Sequence, residues 1–311
     1  MKIEQPTYLI GDSAERLNEI DDESVDLIVT SPPYNIGKEY EKDQRLPLKE
    51  YIDSIFPIIE LCHAKLKPTG SICWQTGSFV DRDRSIHPLD VYFFPKFIAL
   101  GMKPRNRIIW RFNFGLHAQT RLSGRYETML WFSKSSNWKF NLEAIRVPQL
   151  YPGKRHSSHK GDRAGQPSGN QSGKNPSDFW EFEPERAFAD ANVWDLPNVK
   201  ANHSEKTSHP CQFPIELAER CVLAFSDAGD VVLDPFLGAG STAIAAIKHH
   251  RIPVGIDRDE KYIEIARQRQ EKFERGELPM RPSGAPVRRP RLTERVAQIP
   301  EEWRVLKDAA E

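Results

Sequence analysis

Cysteine is scarce in this chain, and the four that occur (Cys62, Cys73, Cys211 and Cys221) are scattered, with no Cys-x-x-Cys pair among them. That pattern excludes a disulfide scaffold and a zinc ribbon, leaves no metal site to expect, and fits a reducing compartment. An excess of charge is also lacking: Lys+Arg and Asp+Glu both number 44, so only the distribution of charge carries information about partners. No apolar run approaches the roughly 20 residues that cross a bilayer. Met1 to Pro6 has no signal-peptide core, and no segment repeats. The expectation is a soluble, cytoplasmic protein with no membrane partner.

What is present is enough apolar sequence, 39% of 311 residues, for one large or two ordinary domains. Thr7–Ile10 and Val25–Val29 read as strands around a short helical stretch at 13–20, the length of a βαβ unit. A polar, charged loop follows at 35–47. Leu48, Ile52, Ile55, Ile59, Cys62 and Leu66 then mark one helix face, bent or restarted at Pro57. Lys67-Pro68-Thr69-Gly70 reads as a stop and turn, Ser71–Trp74 as a strand, and 89–100 as a helix ended by Gly101. Arg107–Trp110 and Thr128–Phe132 are strands with no crossover helix between them, which predicts an antiparallel pair. Helices are expected at 214–226, 241–250 and from 258 to about Phe273, alternating with strands Val231–Leu233 and Pro253–Asp257.

Two strand ends carry chemistry. The first is Thr30-Ser31-Pro32-Pro33-Tyr34-Asn35. Two prolines fix the backbone and remove two donors, leaving carbonyls, a hydroxyl and a flat ring that can hold a planar amino group. The bland alternative is an ordinary strand-to-loop stop. The second is Asp234-Pro235-Phe236-Leu237-Gly238-Ala239-Gly240-Ser241-Thr242, a glycine turn between strand and helix. Its glycines allow close backbone approach, and the helix start offers N–H groups to an anion. Asp257, ending the next strand, suits a ribose diol. A tight turn needing glycine only for packing is the alternative. A dinucleotide pyrophosphate sits poorly beside Asp234, whereas an aminoacyl-nucleoside such as S-adenosylmethionine offers an ammonium to the acid and a carboxylate to the N–H groups.

These two motifs, in this order, resemble the amino-methylating DNA methyltransferases in their circularly permuted "beta" arrangement. Gly11-Asp12 and Lys206-Thr207-Ser208-His209-Pro210-Cys211-Gln212-Phe213-Pro214 match flanking cofactor motifs, and the resemblance spans about 7–275. It implies an α/β fold: a circularly permuted Rossmann-like sheet, mostly parallel with an antiparallel strand, helices on both faces, plus a target-recognition insertion. The implied divisions are a catalytic half at 1–145, the insertion at 146–205, a cofactor half at 206–275 and a basic Pro/Arg-rich tail at 276–311, flexible, with a short final helix near Trp303. S-adenosylmethionine is the implied cofactor, with Asp12, His209, Pro210, Phe213, Asp234, Pro235, Phe236, Gly238, Gly240, Ser241, Thr242 and Asp257 around it. Ser31, Pro32, Pro33 and Tyr34 are the implied catalytic residues, holding and stacking on a flipped base for direct methyl transfer. In this family a leading Ser is typical of cytosine-N4 enzymes and a leading Asp of adenine-N6 enzymes, so Ser31 favours cytosine. Cys211 follows a proline but lacks the context of a cytosine-C5 nucleophile.

Double-stranded DNA is the implied partner; a cognate restriction endonuclease and a homodimer stay open. Arg146, Lys154, Arg155, Lys160, Arg163 and Lys174 face one acid, Asp162, within the insertion, which suits a phosphate backbone. A solvated loop is the plain alternative. Trp180, Phe182 and Trp194 suggest that the later part packs. Arg111, Asn113, His117 and Arg121 are further candidates for DNA contact. Adenine-N6 methylation, an RNA or protein-glutamine substrate, and a non-catalytic DNA-binding module are the competing functions.

Overall fold

The computed structural model describes residues 1–38, 45–112, 118–149, 151–156, 162–180, 199 and 203–282. Within them the chain forms one eight-stranded sheet and a two-stranded ribbon. Residues 39–44 of the 35–47 loop, Asn113, His117, Lys160, Phe182, Trp194 and the tail beyond Pro282 lie outside the described residues. None of the described helices is long and apolar enough to cross a membrane.

The sheet is built from β1 (Thr7–Ile10), β2 (Val25–Thr30), β3 (Leu66–Thr76), β6 (Lys103–Arg111), β7 (Tyr126–Ser133), β8 (Phe179–Trp180), β9 (Val231–Asp234) and β10 (Ile252–Asp257), in the order β1-β10-β9-β2-β3-β7-β6-β8. β4 (Ser78–Val80) and β5 (Ile86–Pro88) make the ribbon. β7 runs against both of its neighbours, as the missing crossover predicted, and the other described sheet pairings are parallel. β2 and β9 are central neighbours, with Leu27 opposite Val232 and Ile28 opposite Leu233.

Central strands need apolar residues on both faces, because helices cover both. β2 is buried along its whole length. Ile28 packs on the side of α1 (Ser13–Leu17), α2 (Leu48–Lys65) and α3 (Leu89–Ala99). Leu27 and Val29 pack on the other side, with α4 (Leu142–Ile145), α5 (Ile215–Phe225) and α6 (Ser241–Lys248). α7 (Glu260–Glu274) packs beside α6 through Ile263 and Ala266. Asp26, 3% exposed, accepts the N–H of Val231 at 3.0 Å and an ion pair from Lys67 at 2.7 Å, joining β9, β2 and β3.

β1 lies at the sheet edge beside β10, with two strands between it and β2. Three expectations are corrected. α2 runs unbroken through Pro57; burial of Ile55, Ile58 and Ile59 against the core offsets a proline penalty of about 3 kcal/mol. Lys67–Gly70 is an excursion within β3, where Val25 pairs Leu66 and Leu27 pairs Ser71. The tail does not leave the body at Gly276: Leu278 and Met280 pack on the α5 cluster, and Arg281 pairs with Glu216 at 3.1 Å. The insertion also rejoins the sheet, since β8 pairs with β6 as a short edge strand.

Candidate active site

β2 and β9 end side by side, and their ends are fastened by hydroxyl groups. Thr30 Oγ1 donates to Asp234 Oδ1 at 2.6 Å, and Thr242 Oγ1 donates to the Val29 carbonyl at 3.1 Å. Ser13 Oγ donates to the Pro235 carbonyl at 2.6 Å, which brings the start of α1 to the same place. From β9 the chain turns into α6 and on to β10; from β2 it turns through α2 to β3 on the opposite side. That reversal is where ligands bind in open α/β sheets.

A cavity of about 350 Å3 opens there, of a size suited to a small-molecule ligand. Twelve of the sequence-derived residues line it: Asp12, Ser31, Pro32, Pro33, Tyr34, His209, Phe213, Pro235, Phe236, Gly238, Ser241 and Asp257. Pro210, Asp234, Gly240 and Thr242 are not on its wall. Asp234 and Thr242 act behind it through the bonds just described. Gly240 has φ +76 and faces α7, where a Cβ would come within 2.8 Å of Ala266 Cβ.

Gly238 does serve the cavity. Its φ is +50, which favours glycine, and a Cβ there would press on His209 Nε2 at 3.0 Å. Its N–H donates to Asp257 Oδ2 at 2.9 Å, and Asp257 Oδ1 accepts from Asp259 N–H at 2.9 Å. Each carboxylate oxygen keeps a second lone pair for a ligand. Burial raises the Asp257 carboxyl above its ordinary range, against the pull of those two N–H groups. Burial also lowers His209 to about 4, which keeps its imidazole neutral at pH 7. Asp234 is pushed up to about 6 by burial, and its Oδ2 meets no hydrogen-bond partner among the described residues.

At the other end of the cavity, Ser31 Oγ lies 2.9 Å from Tyr34 OH, which donates to Glu127 Oε2 at 3.1 Å. Gln75 Nε2 donates to the same Glu127 oxygen. Burial raises the Glu127 carboxyl, and the Gln75 and Tyr34 bonds pull it back. The Tyr34 ring packs against Gly77, where a Cβ would approach its Cδ2 and Cε2 within 2.9 Å. The Pro33 carbonyl does not point free, as the double proline suggested: Tyr51 OH donates to it at 2.6 Å.

Sequence reading missed Tyr51, Asn35's side-chain role, Glu127 and Arg269. Asn35, at φ +57, exchanges two hydrogen bonds with Leu46 and so closes the base of the 35–47 loop. Arg269, 5% exposed, donates to the Ala239 carbonyl and props the glycine turn from α7. No signal in the sequence marks Arg269, because its burial arises only on folding.

A doubly wound sheet with one reversed strand, and a cavity walled by both motifs at its switch point, defines a Rossmann-like methyltransferase. A family model described as DNA methylase, for N6 and N4 amino methyltransferases, matches residues 25–268, and the chain belongs to that family. Type II methyltransferase M.BglII of Bacillus subtilis is 47% identical over 258 residues, covering 83% of this chain and 67% of that one. DNA adenine methyltransferase YhdJ of Escherichia coli K12 is 32% identical over 269 residues, covering 86% and 83%. TTHA0409 of Thermus thermophilus, solved with S-adenosyl-L-methionine bound, superposes with a TM-score of 0.57 at 26% identity, covering 88% and 95%.

The protein is therefore an S-adenosylmethionine-dependent DNA amino-methyltransferase. The wall fits that donor on this chain's own evidence: a glycine cradle that a Cβ would fill, and an acid fixed at the next strand end.

Proposed function

We propose that the chain methylates the exocyclic N4 of a cytosine flipped out of double-stranded DNA at a specific sequence. The observation that carries this is Ser31, the leading residue of the Ser-Pro-Pro-Tyr motif, on the wall of the cavity shared with the glycine turn. S-adenosylmethionine, when bound, supplies an electrophilic methyl on sulfur.

The remaining work falls to the chain. Gly238 and Asp257 hold the nucleoside part of the donor, with the neutral His209 imidazole beside them. The Asp234 carboxylate, one residue behind Pro235, gives negative charge toward the donor's ammonium. Ser31 Oγ and the Pro32 carbonyl accept hydrogen bonds from the target amine and turn its lone pair out of the ring plane. Tyr34 stacks on the base. Orientation supplies much of the rate in such a direct displacement. Unstacking the base costs about a few kcal/mol, and contacts to the flipped base offset it.

Adenine-N6 is the second reading. It is favoured by the likeness to YhdJ and by chemistry, since a serine oxygen accepts from either base's amine. The Type II name of the M.BglII relative extends the reading to a paired endonuclease. Mass spectrometry of nucleosides from plasmid methylated by the purified protein separates the bases. N4-methylcytosine is the expected product; N6-methyladenine alone overturns the cytosine assignment and leaves the enzyme class standing.

A further inference from the structure

The geometry points to Glu127 as a positioning residue that sets the direction of the Ser31 hydroxyl, so that Ser31 meets the target amine only as an acceptor. This rests on the amine reading of the site.

A serine hydroxyl is ambiguous, because it donates one hydrogen and accepts two. An amine carrying two N–H groups needs an acceptor, and a serine that turns its own hydrogen toward the amine opposes it. The chain of contacts removes the ambiguity from the far end. Gln75 Nε2 can only donate, and it occupies Glu127 Oε2 together with Tyr34 OH. A carboxylate oxygen can only accept, so the single Tyr34 hydrogen goes to Glu127. The Tyr34 oxygen, 2.9 Å from Ser31 Oγ, must then receive the Ser31 hydrogen. What Ser31 has left for the cavity is lone pairs. Ser31, Tyr34 and Glu127 together thus present the amine with what a single aspartate would present in the leading position. The elements that meet here are the loop after β2, the end of β3 and the start of β7, which explains how a reversed strand contributes to a site on parallel strand ends.

The test is single-turnover methylation of DNA with enzyme in excess, alongside binding of S-adenosylmethionine and of DNA. Glu127→Met keeps the bulk and removes the acceptor. Its rate is expected to fall by about tenfold or more, the worth of one hydrogen bond, with both affinities within about twofold of wild type. Glu127→Gln retains an acceptor oxygen and is expected to keep most of the rate. Tyr34→Phe interrupts the chain and is expected to be slow, and adding Glu127→Met to it is expected to cost nothing further. Losses that multiply in the double variant overturn the proposal in favour of independent packing roles. A Glu127→Gln as slow as Glu127→Met overturns it in favour of a role for the charge itself. If Glu127→Met does not fold, the other two single variants decide: a Tyr34→Phe enzyme at full rate sinks the relay. A wild-type protein inert on DNA sinks the amine reading, and the relay with it.

Discussion

Asp234 carries an electrostatic penalty that grows with pH. Its carboxyl titrates at about 6 in the fold because burial disfavours the charge, whereas an unfolded chain releases that proton near the ordinary carboxylate value of about 3.9. Between those two pH values the native chain holds a proton that the unfolded chain has lost. Stability from this group is therefore lost as pH rises from about 4 through 6, by on the order of 1–3 kcal/mol, and stays lost above that range. Asp234→Asn removes the slope. The variant's stability relative to wild type is expected to rise between pH 4.5 and pH 7.5, measured by urea unfolding; a pH-independent difference contradicts the assignment. Ligand binding runs the other way. If Asp234 offers charge to an ammonium, S-adenosylmethionine binds more weakly to wild type below about pH 6, and this dependence is absent in Asp234→Asn. An acid opening a glycine turn was legible in the sequence. That its Oδ1 is spent on Thr30 and Phe236 was not, because Thr30 is 204 positions away.

At the scale of elements, two glycines that look equivalent in Gly-Ala-Gly do different work. Gly238 makes room beside His209 on the cavity wall. Gly240, in the left-handed region, starts α6 and lets α7 approach through Ala266. Gly240→Ala meets both backbone strain of about 1–2 kcal/mol and overpacking of about 1–3 kcal/mol. Thermal unfolding is expected to show a large loss of stability. Ala266→Gly, which removes the clashing methyl, is expected to recover the overpacking part as a coupling of about 1–3 kcal/mol in a double-mutant cycle. Gly238→Ala is expected to weaken S-adenosylmethionine binding more than it lowers stability. Purely additive effects at Gly240 and Ala266 count against direct contact. The turn itself could be read from a strand, two glycines and a helix in succession. Which glycine faces the ligand could not, since the answer lies on a helix that enters from downstream. The same limit hid Glu127 and Arg269, which reach the site from other strands and helices, and β8, a two-residue edge strand with no periodicity to read.

For the whole molecule, the legible part was the order of motifs and the hydrophobic strands that lead to them. The permuted order also has a physical consequence: the insertion leaves after β7 and α4, on the half of the sheet that carries Ser31 and Tyr34 and away from β1 and β10. The basic segment lies between α4 and β8, and the chain returns from it to the sheet edge opposite β1. Lys154 and Arg163 are exposed on it, and the Val147–Lys174 bridge closes the segment at its base. If these side chains meet DNA phosphates, each contact releases a counterion and adds about 0.9 to the slope of log K against log salt. Lys154→Ala with Arg163→Ala is then expected to flatten that slope by up to about 2, and to weaken binding to all sequences alike. The single-turnover rate at saturating DNA should stay near wild type, because neither residue lines the cavity. Fluorescence anisotropy over a salt series measures the slope. An unchanged slope with intact methylation assigns the segment to solvent and moves DNA contact to Arg111, at the end of β6, and Arg121, in the connection before β7.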